Sequence, residues 1–251
     1  MALAAAGLLL FLLPLAGLIA RAPWNQVGTE LVAPETATAL GLSLFCSLTA
    51  TAVALVLGIP LALVLSRTTG TLRGVLRALT TLPMVLPPVV GGVALELAFG
   101  RSGLIGAPLH QLFGLQIPFT TTAAVIAETF VAMPFLVIAV EGGLRALDSR
   151  YEESARALGA NSWKVFARVT LPLLRPAIFS GAMLCWARAL GEFGATITFA
   201  GNLPGRTQTI PLAVYVALET RPDGAIVLSL ILLAVSLAIL IGLRDRWLGA
   251  P

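Results

Sequence analysis

Four ionisable side chains interrupt runs of apolar residues: Glu96, Glu128, Arg188 and Glu192. A charge inside a membrane-spanning segment is costly, so such residues are candidates for a path, a relay or a fixed ion pair. Arg188 and Glu192 stand four apart and can pair along one helix face. At about 1.5 Å per residue, Arg188 lies ~25 Å beyond the start of its apolar run near Leu171. Two readings apply to the pair. It fixes its helix structurally, or, with Gly194, Thr196 and Thr198, it belongs to a pathway or gate. Gly191 and Gly194 permit close helix approach, and the two threonines offer neutral hydroxyl donors.

Other reactive residue types are sparse. Cys46 and Cys185 lie in apolar runs with no CxxC partner, which makes them free packing residues. His110 stands alone in a loop, and no metal site is expected. The chain has no Gly-x-Ser-x-Gly elbow, HExxH, Asp-rich metal motif or Walker loop, so no catalytic residue is assigned. A carrier driven by an ion gradient through Glu128 or Glu192 is a rival that gradient-driven uptake would support.

The elements that position these residues are transmembrane. The chain is 58% hydrophobic and 11% charged over 251 residues, with a mean hydropathy of +0.95. Its apolar runs approach the roughly 20 residues that a helix needs to cross a bilayer. The alternation of a membrane β-barrel is absent, which leaves an all-α integral membrane fold. Six spans are expected, at 2–20, 39–65, 75–99, 121–140, 171–199 and 225–243, within a single domain, 1–251. The first lacks a basic n-region and a clean cleavage site, so it reads as a membrane helix rather than a signal peptide. Pro83, Pro87 and Pro88 predict a kink in the third span, serving packing or gating. Thr81-Leu82-Pro83 with Pro87 is echoed by Thr170-Leu171-Pro172 with Pro176, an echo that chance or the preference for proline in a first helical turn explains.

Sidedness follows from the basic residues. Eleven of the sixteen fall on the side shared by both termini and the 66–74 and 141–170 loops. Among them are Arg67, Arg73, Arg77, Arg244, Arg246 and all six between Arg145 and Arg175. Four, Arg21, Arg101, Arg206 and Arg221, fall on the other side. The positive-inside rule makes the first side cytoplasmic. The net charge of +4 is thereby accounted for by membrane orientation, and no nucleic-acid partner is expected. Segments 23–38, 100–120 and 201–224 become outer connections, the first of them a loop or a short surface helix.

One polar island remains, "DSRYEESARALGANSWKVFARVTLP" at 148–172. Ser149 and Glu152 have capping-box spacing, and Glu152 and Arg156 pair at i, i+4. Tyr151, Ala155 and Leu158 form a narrow apolar face. Gly159 is placed to stop the helix in the left-handed region, and Asn161 or Ser162 can cap a second helix carrying Trp163 and Phe166. Leu171-Pro172 then turns the chain back into the membrane. The island is either a solvated loop on the headgroups or a docking element for a cytoplasmic partner.

Glu153-Ser154-Ala155, three residues, Gly159, nine residues, Val169, one residue and Leu171-Pro172 resemble the EAA loop of ABC-importer permeases, whose pattern is E-A-A-x3-G-x9-I-x-L-P. Ser154 and Val169 are the departures. "TLPMVLPPVVGG" (81–92) and "ARALGEFGATITFAGNLPGRTQTIPLAVY" (187–215) are similar to the molybdate branch of that family, and sulfate permeases share part of the second. The resemblance implies a type I ABC importer permease fold with 148–170 as a cytoplasmic coupling loop. It implies ATPase coupling through Glu152, Glu153, Ala155, Arg156, Leu158 and Gly159. It further implies two copies of a cytoplasmic ATPase that hold ATP and Mg, a second copy of this chain, and an external oxyanion-binding protein. Molybdate or tungstate is the implied cargo, with sulfate or thiosulfate as the alternative. The implied location is the prokaryotic inner membrane, in contact with lipid, and no cofactor is implied on this chain itself.

Overall fold

A computed structural model describes residues 1–247; the side chains of residues 2, 240 and 242–247, including Arg244 and Arg246, lie outside the described set. Its helices, in chain order, begin with α1 (Ala2–Ala20), α2 (Val27–Leu31) and α3 (Pro34–Arg67). Then come α4 (Gly70–Val85), α5 (Pro88–Phe99), α6 (Gly106–Phe113) and α7 (Thr121–Ala146). The polar island holds α8 (Ser149–Ala157) and α9 (Ser162–Val165), followed by a π-helical turn, Phe166–Thr170. The chain closes with α10 (Leu171–Leu190), α11 (Gly194–Phe199), α12 (Ile210–Thr220) and α13 (Pro222–Trp247). No strand occurs among the described residues.

Among the described residues, five helical segments are long and apolar enough to cross a membrane, and α4 with α5 makes a sixth if that bent pair is one crossing. The core is the junction of α3, α7 and α10. Ala50, Ala54 and Ala62 of α3 meet Ala132, Leu136, Val137 and Val140 of α7 and Cys185 and Ala189 of α10, all essentially inaccessible. Lipid tails are as apolar as these side chains, so close backbone approach through small residues holds the helices together. At Gly58 a Cβ would sit 3.2 Å from both Leu136 and Val137, and at Gly181 only 2.9 Å from Ala139. Cys46 and Cys185 are buried and free, as packing residues would be. By contrast, α1 is exposed to its surroundings along nearly its whole length.

The third apolar run differs most from its expected form. It does not kink; it breaks, with α4 and α5 at 116° to one another. Leu86 (ψ 135°) and Pro87 (ψ 131°) are extended between the two helices. A residue before proline is pushed out of the helical region, and Leu86 and Pro87 both precede one. Pro88 then opens α5 in its first turn, while Pro83 stays inside α4.

The fifth run is corrected at both ends. Helix continues from Ser162 through the π turn to Leu190, so Leu171-Pro172 makes no turn. Pro172 has no N–H to donate to the carbonyl of Arg168, and the widened turn absorbs the fault. The run stops at Leu190, nine residues short of Phe199, because Gly191 and Phe193 interrupt it before α11. Elsewhere α3 outruns the expected 39–65, α7 reaches six residues past 140, and α13 starts at Pro222. The segments expected as outer connections, 23–38, 100–120 and 201–224, hold α2, α6 and α12.

Candidate functional site

The polar island folds into two capped short helices that carry their large apolar groups outward. Asp148 accepts from the Arg150 N–H at 3.0 Å and is the N-cap of α8, with Ser149 as its first residue, so the expected Ser149 capping box is not formed. Asn161 caps α9 by accepting from the Lys164 N–H at 2.9 Å. Gly159 sits at φ +83°, where its lack of a Cβ lets the chain reverse between them. Tyr151 (59%), Leu158 (89%) and Trp163 (72%) are exposed, and the Trp163 ring lies 5.8 Å from that of Phe166. Glu153, Arg156 and Gly159 are exposed as well, while Ala155 is half-buried.

Glu152 behaves differently from its neighbours. Its Oε1 accepts from the Thr170 hydroxyl at 2.7 Å, and its Oε2 pairs with Arg156 at 2.8 Å. Arg67 at the end of α3 stands 4.0 Å away. The carboxylate is therefore turned back toward the protein rather than out beside Glu153.

A second cluster, which the sequence reading missed, lies at the same end of the bundle. Glu141, 2% exposed, takes Arg145 at 2.7 Å, Arg73 at 3.5 Å and Arg77 at 3.8 Å, all on Oε1. It ties α4 to α7, and α4 has no buried residue of its own. The i, i+4 spacing of Glu141 and Arg145 was the available signal.

At the far end of α10, the expected pair forms. Arg188 and Glu192 are 2.7 Å apart, with Glu192 1% exposed. They do not share a continuous helix, because Glu192 sits in the interruption after α10. Its second oxygen accepts from the Ala195 N–H at 2.8 Å, in the first turn of α11. One carboxylate thus joins the end of one helix to the beginning of the next.

Helix α11 packs on α5, the helix that follows the 116° break. A Cβ at Gly92 would meet that of Thr198 at 2.6 Å, and one at Gly194 would meet that of Pro88 at 2.7 Å. Gly194, Pro88, Thr198 and Glu192 are thereby brought to one seam, with Pro87 at its edge and Pro83 on the other limb of the break. Thr198 donates to the Gly194 carbonyl at 2.8 Å, whereas the fully buried Thr196 hydroxyl makes no hydrogen bond. Glu128 on α7 is also buried, with Oε2 unpartnered. Glu96 is half-buried and folds against Gly100. His110 lies apart from the seam, accepting from Arg101 Nε at 3.1 Å.

Residues 54–249 match the family model described as the binding-protein-dependent transport system inner membrane component. The chain is 46% identical over 243 residues to the molybdenum transport system permease protein ModB of Mycobacterium tuberculosis, across 97% of this chain and 92% of that one. It is 41% identical over 216 residues to Escherichia coli ModB, across 86% and 94%. The sulfate transport system permease protein CysT of Escherichia coli is 34% identical over 240 residues, across 94% and 86%. Among solved structures, a bacterial ABC transporter that imports the acidic polysaccharide alginate superposes with a TM-score of 0.73 at 18% identity, across 99% of this chain and 93% of that one. The inward-facing MetNI methionine ABC transporter gives 0.58 at 18% identity, across 86% and 99%. These two likenesses establish the fold.

Proposed function

The chain belongs to the binding-protein-dependent transport system inner membrane components, and from that premise we propose that it is the membrane subunit of an ATP-driven molybdate importer. It is a transport subunit, and ATP hydrolysis falls to a separate ATPase. The observation that carries the coupling role is the pair of capped helices at 149–165, which hold Tyr151, Leu158 and Trp163 out of the protein. An apolar face that the chain itself leaves uncovered, framed by the charges of Glu153 and Arg156, fits a cytoplasmic ATPase.

The full assembly has two copies of this chain, two ATPases holding ATP and Mg, and an external oxyanion-binding protein. It sits in the prokaryotic inner membrane with both termini in the cytoplasm. Docking at Glu153, Ala155, Leu158 and Gly159 moves the 149–165 helices and, through the continuous 162–190 segment, α10. The seam of α5 and α11 responds as the gate. Arg188, neutralised by Glu192, leaves the path without a strong cationic trap, and Thr196, whose hydroxyl is unpartnered, offers a neutral donor, while that of Thr198 is held by the Gly194 carbonyl. A path of that kind passes a tetrahedral dianion without retaining it, and selection is left to the external binding protein.

Molybdate, with tungstate as its near-isostere, rests on the likeness to the two molybdenum permeases. Sulfate is the second reading, favoured by the likeness to CysT. Labelled molybdate uptake into vesicles holding the assembled transporter, with and without excess sulfate, tests the cargo; strong competition favours the sulfate reading. Gly159→Trp and Glu153→Lys, checked for insertion, test the docking face. Wild-type coupling in both would remove it.

A further inference from the structure

Helix α8 has a mechanical difficulty. It has no buried residue, and in α9 only Val165 is buried. The turn between them passes through Gly159 at φ +83°, a residue with no atom near its would-be Cβ. A helix with its apolar side outward and a compliant turn behind it would rock when pushed. Packing alone does not carry a displacement from Tyr151 or Leu158 into the membrane.

The structure supplies a polar tie instead. The Thr170 hydroxyl donates to Glu152 Oε1 at 2.7 Å across eighteen residues of sequence. Thr170 is 1% exposed, and it is the last residue of the π turn, directly before α10. The bond is charge-assisted and shielded from water at the threonine end, the conditions under which such bonds are strongest. Glu152 is released for this duty because Asp148 takes the cap of α8. Arg156 at 2.8 Å holds the carboxylate in place, and Arg67 at 4.0 Å adds a weaker hold from α3.

We propose that Glu152 and Thr170 are positioning residues that make α8 and the base of α10 move as one body, so that force delivered to the docking face enters the membrane. The inference rests on the reading of 149–165 as the ATPase docking element. Neither residue touches the cargo. The tie joins α8 to the chain at the π turn, the junction between the 149–165 helices and α10.

The test uses the assembled complex with its ATPase and external binding protein, reconstituted in vesicles, and reads molybdate taken up per ATP hydrolysed. Thr170→Val keeps the shape and removes the donor. It should keep its ATPase on co-purification and its basal hydrolysis, and lose about tenfold in uptake per ATP, the loss expected when one charge-assisted hydrogen bond is removed. Thr170→Ser should restore the ratio to near wild type. Coupling within about twofold of wild type in Thr170→Val, or a Thr170→Ser as impaired as it, overturns the proposal.

If Thr170→Val does not assemble, Glu152→Cys with Thr170→Cys, joined by a short thiol cross-linker, decides. Uptake that survives the cross-link supports a tie that stays closed through the cycle, and uptake abolished by it overturns the proposal. The docking reading fails separately, when Gly159→Trp and Glu153→Lys both couple normally. Uncoupling in those two with normal Thr170→Val defeats the tie alone.

Discussion

Arg188 and Glu192 meet at 2.7 Å across the end of α10, and the same carboxylate holds the first turn of α11 through the Ala195 N–H. The contact is therefore an ion pair and a splice between two helices at once. Glu192→Leu should cost about 2–3 kcal/mol, since it removes a buried carboxylate that holds both Arg188 and the Ala195 N–H. Arg188→Leu/Glu192→Leu should recover part of that loss. Glu192→Gln should lie between, keeping an acceptor for Ala195 but not the charge. Thermal unfolding in detergent orders the three; a double variant less stable than the single would contradict the pairing.

The α5–α11 seam tolerates no added methyl group. Gly92→Ala and Gly194→Ala each push a Cβ to within 2.7 Å of a neighbour's side chain. Overpacking of this kind costs about 1–3 kcal/mol. Gly91→Ala meets only the edge of Phe130, at 3.2 Å, and should be milder. Uptake and melting temperature measured on all three check the order.

Glu141 should matter more than its distance from the seam suggests. With it gone, Arg73, Arg77 and Arg145 face one another, and α4 has no buried side chain to hold it. Glu141→Ala should cost about 2 kcal/mol. It should also speed proteolysis around residues 68–70 in vesicles that expose the cytoplasmic face. Unchanged cleavage would mean that α4 is held by something else.

Gly159→Ala isolates the backbone term, since open space surrounds the site and only φ +83° resists a side chain. The cost should be about 1 kcal/mol, and less for Gly159→Asn. ATPase co-purification should weaken in the same order.

Sidedness is open to impermeant maleimides. Cys46 and Cys185 are inaccessible and should stay silent. Ser154→Cys should label only from the cytoplasmic side and Arg206→Cys only from outside. Labelling of Ser154→Cys in intact cells would invert the orientation.

Much of this was legible in the sequence because it is local. Capping at Asn161, reversal at Gly159 and the Glu152–Arg156 pair each depend on residues within four positions. The apolar runs, too, announce their own helices. What the sequence hid depends on distant partners or on angles. Pro83, Pro87 and Pro88 marked the fault in the third run, yet three missing N–H groups do not say whether a helix bends gently or by 116°. Ser149 with Glu152 read as a capping box, but Asp148 one residue earlier takes the cap, and only the fold brings Thr170 to the freed carboxylate. Glu141 sat just past the end of an apolar run, and two of its three partners lie 64 and 68 residues upstream.

The π turn at Phe166–Thr170 has a geometrical consequence. A turn that holds one extra residue sets the phase between everything upstream and everything downstream, and one residue of an α-helix is worth about 100° of rotation. Helices α8 and α9 are set against α10 at that angle. Tightening that turn to ordinary pitch with all five residues kept would swing Trp163 about a quarter-turn around the helix axis, whereas deleting one residue as it tightens would leave Trp163 close to its present face. Which way the exposed Trp163 faces, as distinct from how firmly the segment is held, is written into those five residues.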